Sequence, residues 1–248
     1  MKEKIPKVDS EPLYIKVRKH LLSMMENGFF SETNKLPSEE NLAKALGVSR
    51  SVLRDVLAIF EAEGYISRRR GIGTLLHREI VNAKTRLDIE KEFLDLISDC
   101  GYQAAIAWVR VSEVEAPAAI ARRLSLIPGA TLLAVTRLVV ADGIPAIYCT
   151  DYLGKNGIKK NPYDEKELHK PIFYFLEKYC LEQVSHNLTE IEPICADETI
   201  AKVLKIKEGT PIFYMSEVGY NADSRPVLLS EEYHNPAILK YNILRKKF

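Results

Sequence analysis

Two stretches about 80 residues apart in this chain spell the same pattern. Residues 112–152 run SEVEAPAAIARRLSLIPGATLLAVTRLVVADGIPAIYCTDY, and residues 190–233 run EIEPICADETIAKVLKIKEGTPIFYMSEVGYNADSRPVLLSEEY. Ile120, Ala121 and Leu124 match Ile200, Ala201 and Leu204, and Gly129 matches Gly209. After a slip of one residue, Asp142, Pro145 and Tyr152 match Asp223, Pro226 and Tyr233. Each copy predicts a short helix, a glycine turn, an apolar strand, an Asp-containing turn and a second strand. The run from Leu132 to Val140 is too short and too β-branched for a long buried helix. Two such copies pack as one mainly antiparallel sheet with helices against it, an α+β arrangement. A duplicated unit of this kind leaves a pocket between its halves.

Arg137 and Glu217 fall at matching positions of the two copies and set opposite charges there. They are expected to line the pocket and hold an anionic or polar ligand; otherwise they pair with each other or face water. Tyr152, and Ser230, Glu231 and Tyr233 of the SEEY run, bring polar groups to the second-strand ends. The alternative there is an exposed strand edge.

Ahead of the repeat, Pro12 opens a helical pattern. Leu13, Val17, Leu21 and Met24 or Met25 share one face until Asn27-Gly28 stops it. Ser38 caps a short helix that turns Leu42, Ala43 and Leu46 inward and ends at Gly47. Ser49 caps another, with Val52, Val56, Ile59 and Phe60 as its apolar face, ending near Glu63-Gly64. Two helices across a tight turn form a helix-turn-helix, whose second helix sets its N-terminal residues against base edges in the major groove. Arg50, Ser51 and Arg54 stand at that end, and arginine suits guanine O6 and N7. Two solvated arginines on an amphipathic helix are the alternative. Next come a short strand at Tyr65-Ile66-Ser67, a basic tip from Arg68 to Gly73 and a returning strand at Thr74-Leu75-Leu76. That is a wing. Glycine at the tip lets backbone approach DNA, and Arg69 and Arg70 neutralise phosphates. The Gly71-x-Gly73 pair is no dinucleotide loop, because no helix of the right spacing follows.

Charge divides along the chain in the same sense. Residues 1–78 carry 14 Lys+Arg against 10 Asp+Glu, and residues 79–248 carry 21 against 24. A basic front end points to a polyanion partner. Cys100, Cys149, Cys180 and Cys195 form no CxxC pair, which argues against a zinc or redox site and for reduced thiols. Residues 1–12 lack the apolar core of a signal peptide, and no run of about 18 apolar residues could span a bilayer. The expected setting is the cytoplasm. No Ser/His/Asp set, metal spacing or His-carboxylate cluster is visible, so neither an enzyme nor a cofactor nor a metal is expected.

The run LPSEENLAKALGVSRSVLRDVLAIFEAEGYISRRRGIGTLL closely resembles the winged helix of GntR-type transcription regulators over about residues 12–77. The resemblance implies DNA contacts from Arg50 and Arg54, a wing tip at Arg70 and Gly71, and phosphate contacts near Ser38 and Thr74. Many members carry Arg where this chain has Glu40, which puts a phosphate contact there in doubt. The repeat, through RLSLIPGA, TRLVVADGIP, LEKYCLE and RPVLLSEEY, resembles more loosely the UTRA sensor domain of the HutC branch over about residues 88–245. This implies a chorismate-lyase-like fold, a small-molecule effector and a homodimer on palindromic half-sites. In that pattern Arg137 is an effector residue, and His169-Lys170-Pro171 opens a helix where Lys170 suits an anion. Some sugar-phosphate sensors carry Glu at the positions of Cys149 and Leu228; their absence points to a less polar ligand. The expected layout is a DNA-binding domain over 1–77, a linker over 78–88 and an effector-binding and dimerisation domain over 89–248. The expected function is a ligand-controlled regulator, a repressor in sign. The alternatives are an architectural DNA-binding dimer without ligand control and an enzyme on a lyase-like fold.

Overall fold

The computed structural model describes residues 12–246. The signal-peptide reading, made on residues 1–12, and the first residues of the expected DNA-binding domain lie outside them, Pro12 excepted. The chain divides into two compact units. One comprises the residues up to Ile89 together with the tail from Asn242, and the other is Glu90–Tyr241.

The first unit holds α1 (Leu13–Glu26), α2 (Glu39–Leu46), α3 (Arg50–Ala62) and a hairpin of β1 (Ile66–Arg69) and β2 (Gly73–Leu76). Ser38 and Ser49 cap α2 and α3 by accepting from the amides of Asn41 and Val52, each at 3.3 Å. Gly47 ends α2 with φ +65°, a left-handed turn that a residue with a Cβ resists. The core joins Val17, Leu21 and Met25 of α1 to Leu53, Val56, Leu57 and Phe60 of α3. Leu53 and Leu57 face inward and Val52 and Ile59 lie at the margin, so the apolar stripe of α3 is rotated from the expected one.

The stretch 78–88, expected to be a linker, belongs to this unit. Arg78–Val81 forms α4, and Val81 is buried in the head core. The end of the chain, expected to belong to the sensor, returns here as well. The Asn242 amide donates to Thr85 O and the Leu87 amide to Asn242 O, each at 2.9 Å. Arg86 is buried, donating to Glu63 O at 2.7 Å and to Asp88 at 2.5 Å, with its guanidinium over the Tyr65 ring. One helical turn and one paired residue are too short to show a period in the sequence.

The second unit opens with α5 (Phe93–Asp99). Each repeat then runs strand, helix, strand, strand: β3 (Ala104–Glu115), α6 (Ala118–Arg123), β4 (Thr131–Ala141), β5 (Ile144–Gly154), and β6 (His186–Cys195), α8 (Glu198–Leu204), β7 (Pro211–Tyr220), β8 (Pro226–His234). Between the copies lies α7 (Ile172–Phe175). The six strands form one antiparallel sheet in the order β3-β4-β5-β8-β7-β6, joined across its middle by β5 and β8. Gly129 and Gly209 both have φ +79°, so the matched glycines make the same turn. The leading strands β3 and β6 were not expected. They are the sheet edges and half solvated: β6 carries no continuous apolar run, and the run Ala104–Val109 of β3 lies ahead of the repeated pattern.

Strand β4 is buried along nearly its whole length because both faces are covered. On one face Leu133, Val135 and Val139 pack under α5 and α7. On the other, the helices cross over between copies: α8 covers Leu138 and Val140 of the first copy, and α6 covers Val218 and Leu229 of the second. Neither copy closes its core alone. No helix among the described residues is long and apolar enough to cross a membrane.

Candidate functional site

The head brings the expected DNA-reading residues to one end of α3 and to the hairpin tip. Arg50, Ser51 and Arg54 are exposed on the first turns of α3. The Ser49 hydroxyl is committed to the cap and lies 2.9 Å from Ser51 Oγ. Arg54 is 3.8 Å from Glu39, a weak, exposed pairing that DNA could displace. Glu40 is exposed on the first turn of α2. In the wing Arg69 pairs with Gly73, so the tip is Arg70-Gly71-Ile72, and Gly71 has φ +79°. Arg69 and Arg70 are exposed, Thr74 is half-buried, and Ser38 is exposed but engaged in its cap. Arg68 points elsewhere: it is bound to Glu61 of α3 through its amide at 2.9 Å and its guanidinium at 2.6 Å. Those hydrogen bonds hold the Glu61 carboxyl below its ordinary range and anchor the wing to α3.

In the sensor, a cleft of about 550 Å³ lies on the α5 and α7 face of the sheet. Its floor takes Arg137 from β4, Asp151 from β5, Glu217 from β7 and Ser230 and Glu232 from β8, so both copies contribute. Residues 90–94 and 170–173 form its walls. The cleft brings together Arg137, Glu217 and Ser230 from the two copies, and Lys170 from between them.

Four expected residues, Cys149, Tyr152, Glu231 and Tyr233, do not line it. Side chains alternate across a strand, and Tyr152, Glu231 and Tyr233 point to the other face, where Tyr233 stacks on Tyr148 and Tyr214 donates to Glu231 at 3.1 Å. Cys149 is on the cleft side but wholly buried in the apolar cluster beneath, where desolvation raises its thiol. The same alternation, followed along β5 from Cys149 and along β8 from Ser230, reaches Asp151 and Glu232, which carry no motif of their own in the sequence. Glu90 and Glu92 carry no signal in the sequence, while Phe93, with Ile89, Leu96 and Ile97, belongs to a helical apolar pattern that the structure shows as α5.

The charges bear on the kind of ligand. An anionic ligand rested on Arg137 and Lys170. Arg137, 4% exposed, is locked to Asp151, whose other oxygen accepts from Ser230 at 2.6 Å, and also donates to Leu168 O at 3.1 Å. Lys170 Nζ is 3.0 Å from Glu167 and lies over the Tyr174 ring, at the head of a helix of only four residues. Lys91, on the wall, is 2.5 Å from Asp99. Opposite them stand Glu90, Glu92, Glu217 and Glu232, and no ion pair to Lys or Arg is seen for these four among the described residues. Glu217 accepts from the Thr189 hydroxyl, Glu90 from Asn187 at 2.8 Å, and Glu232 lies 2.8 Å from His234 Nε2. Burial, reinforced by Glu90 and Glu232, pushes Glu217 up to about 8. Burial, with Glu90 and Asp151, pushes Glu92 up to about 7. Burial first, then Asp151 and Glu90, raises Glu232 well above the carboxylate range, while burial drops His234 to about 3 and keeps it neutral.

A sequence profile described as bacterial regulatory proteins, gntR family, matches residues 13–76, and a profile of the UTRA domain matches residues 99–239. The HTH-type transcriptional regulator GgaR of Escherichia coli is 28% identical over 142 residues, which is 57% of this chain and 56% of that protein. The chain thus spans little more than half the length of that relative. The histidine utilization repressor of Pseudomonas putida is 23% identical over 209 residues, 81% of this chain and 79% of that one. The crystal structure of the possible transcriptional regulator YydK from Bacillus subtilis has the same fold, with a TM-score of 0.75 at 17% identity over 95% of this chain and 100% of that one.

Proposed function

Because this chain belongs to the gntR family of bacterial regulators and carries a UTRA domain, we propose that it is a DNA-binding transcription regulator, a repressor, whose operator affinity is set by a small molecule in the sensor cleft. It works as a homodimer on an approximate palindrome in the cytoplasm, with α3 of each head in the major groove and each wing on the adjacent backbone. Arg50 and Arg54 read bases; Arg69, Arg70 and Gly71 meet phosphates and Thr74 lies beside them. Arg137, Glu217, Ser230 and Lys170 border the effector. The observation that carries this reading is the exposure of Arg50 and Arg54 beside a glycine-tipped basic wing, in a chain that also encloses a cleft lined by both sensor copies. The ligand acts by binding the DNA-competent and incompetent states with different affinities.

Selection of random duplex DNA by the purified protein, followed by a salt titration of the enriched site, tests it. An enriched palindrome whose affinity falls steeply with salt supports a dimeric reader. No enrichment, with or without pooled metabolites, overturns it. An enriched site that no metabolite affects would favour an architectural dimer.

A further inference from the structure

The charge balance of the cleft names a ligand class that neither the family nor the fold assigns. Its three cations are already held: Arg137 by Asp151, Lys170 by Glu167 and Lys91 by Asp99. Glu217 of β7 sits opposite Ser230, two residues from Glu232 on β8, so the two carboxyls are diagonal neighbours on one face of the sheet, and Glu92 stands at the start of α5 without a side-chain cap bond. Their only polar partners among the described residues are neutral, the Thr189 hydroxyl and the His234 ring. Like charges gathered in a partly desolvated cleft repel one another, and a bound cation relieves that repulsion. Among the described residues, no three His, Cys, Asp or Glu side chains converge as a metal site would require. The carboxyls are therefore spread along a cleft whose remaining walls include Phe93, Leu94, Ile106 and Phe173. Arg137 adds an independent sign of a missing partner: its Nε is buried without a hydrogen bond.

We propose that the cleft takes an organic cation, a protonated amine, amidine or guanidine, held by Glu92, Glu217 and Glu232. Its carbon skeleton lies against Phe93, Leu94 and Phe173, and an acceptor atom on it meets Arg137 Nε. The proposal rests on the reading of this cleft as the effector site. It differs from the anion that the sequence suggested. An anion would find each cation of the cleft already paired and would face four further carboxyls that repel it as they ionise.

Two probes share one carbon skeleton and differ in charge: L-phenylalaninol, with an ammonium and a hydroxyl, and 3-phenyllactate, with a carboxylate and a hydroxyl. Calorimetric titration of the full chain without DNA reads their affinities. Phenylalaninol is expected to bind about tenfold tighter or more, the preference one well-placed charge supplies. The preference should vanish in the Glu92→Gln/Glu217→Gln protein and survive in Glu208→Gln, where the charge removed is exposed on a turn away from the cleft. Thermal unfolding of each variant verifies that it is folded. Equal or tighter binding of phenyllactate, no binding of phenylalaninol at millimolar concentration, or a preference that outlasts the double substitution overturns the proposal. These outcomes are read without DNA, so they leave the regulator reading to the operator selection, and failure of that selection leaves the charge preference intact.

Discussion

Tyr241 Oη lies 2.6 Å from Nδ1 of His234, whose other ring nitrogen lies 2.8 Å from Glu232 Oε2 at the floor of the cleft. The ring is neutral, so one nitrogen donates while the other accepts, and the three groups share one direction of hydrogen bonding. A cation on Glu232 favours its carboxylate, which fixes Nε2–H as the donor and turns the Tyr241 hydroxyl toward Nδ1. Tyr241 is also the last residue of the sensor unit, directly before the tail that pairs with Thr85 and Leu87.

Tyr241→Phe removes the hydroxyl and leaves Nδ1 unpaired in a buried site. The expected cost is about 1–3 kcal/mol of stability, measured by urea unfolding. Ligand affinity should change little, while the ligand's effect on operator affinity shrinks. An unchanged ligand effect would show that the signal bypasses Tyr241.

The Arg137–Asp151 pair is buried on both sides. Arg137→Ala leaves Asp151 as an uncompensated buried charge and should cost about 3–5 kcal/mol. Asp151→Asn in the same protein should recover much of that loss. If the single variant melts like the parent, the pair is not the structural element that its burial implies.

Arg50→Ala and Arg54→Ala should each weaken the enriched site by about 1–3 kcal/mol and relax base choice, while Arg70→Ala weakens all sequences alike. Competition binding against a panel of single-base variants separates the two patterns. Unaltered base preferences in both α3 variants would remove that helix from base reading.

Stability should also depend on pH in a definite sense. Glu217, facing Glu90, Glu232, Asp151 and Thr189, and Glu92, facing Glu90, Asp95, Asp151 and Arg137, have folded pKa values near 8 and 7, above the ordinary 4.5. The folded chain therefore binds more protons than the unfolded one across that window, and stability falls as pH rises through it. His234 has the opposite sign: lowered to about 3 from 6.5, it stabilises above 6.5 and loses that contribution as pH falls. Melting of the ligand-free protein should thus rise from pH 8.5 to about 6.5, with the two effects opposed below. Over the same range phenylalaninol should bind more tightly as pH rises and the carboxyls ionise. A shallower profile in Glu92→Gln/Glu217→Gln would assign that share of the effect to these groups, Glu90 and Glu232 keeping the remainder.

The parts of the molecule that could be read in advance are those with local grammar. Ser38, Gly47 and Ser49 announce their caps by residue type, and the wing by its arginines and glycines. The repeat revealed itself by internal comparison, and with it the pocket between Arg137 and Glu217. What escaped needed either register or distance. The SEEY run reads as a cluster, and Tyr152 as the counterpart of Tyr233, whereas strand alternation sends Tyr152, Glu231 and Tyr233 to the face opposite Ser230. The engagement of Arg137 depends on a partner 14 residues away across a hairpin. Val81, Arg86 and Asn242 owe their burial or pairing to residues brought together from both ends of the chain.

The return of Asn242 to Thr85 and Leu87 has a practical consequence for anyone rebuilding this protein. In sequence the head precedes the sensor, but in three dimensions the sensor is an insertion, spliced into the head between Ile89 and Asn242. A chimera that grafts a foreign sensor after residue 77 would discard α4 and the tail that completes the head. A graft with seams at both 89/90 and 241/242 preserves every hydrogen bond of that unit.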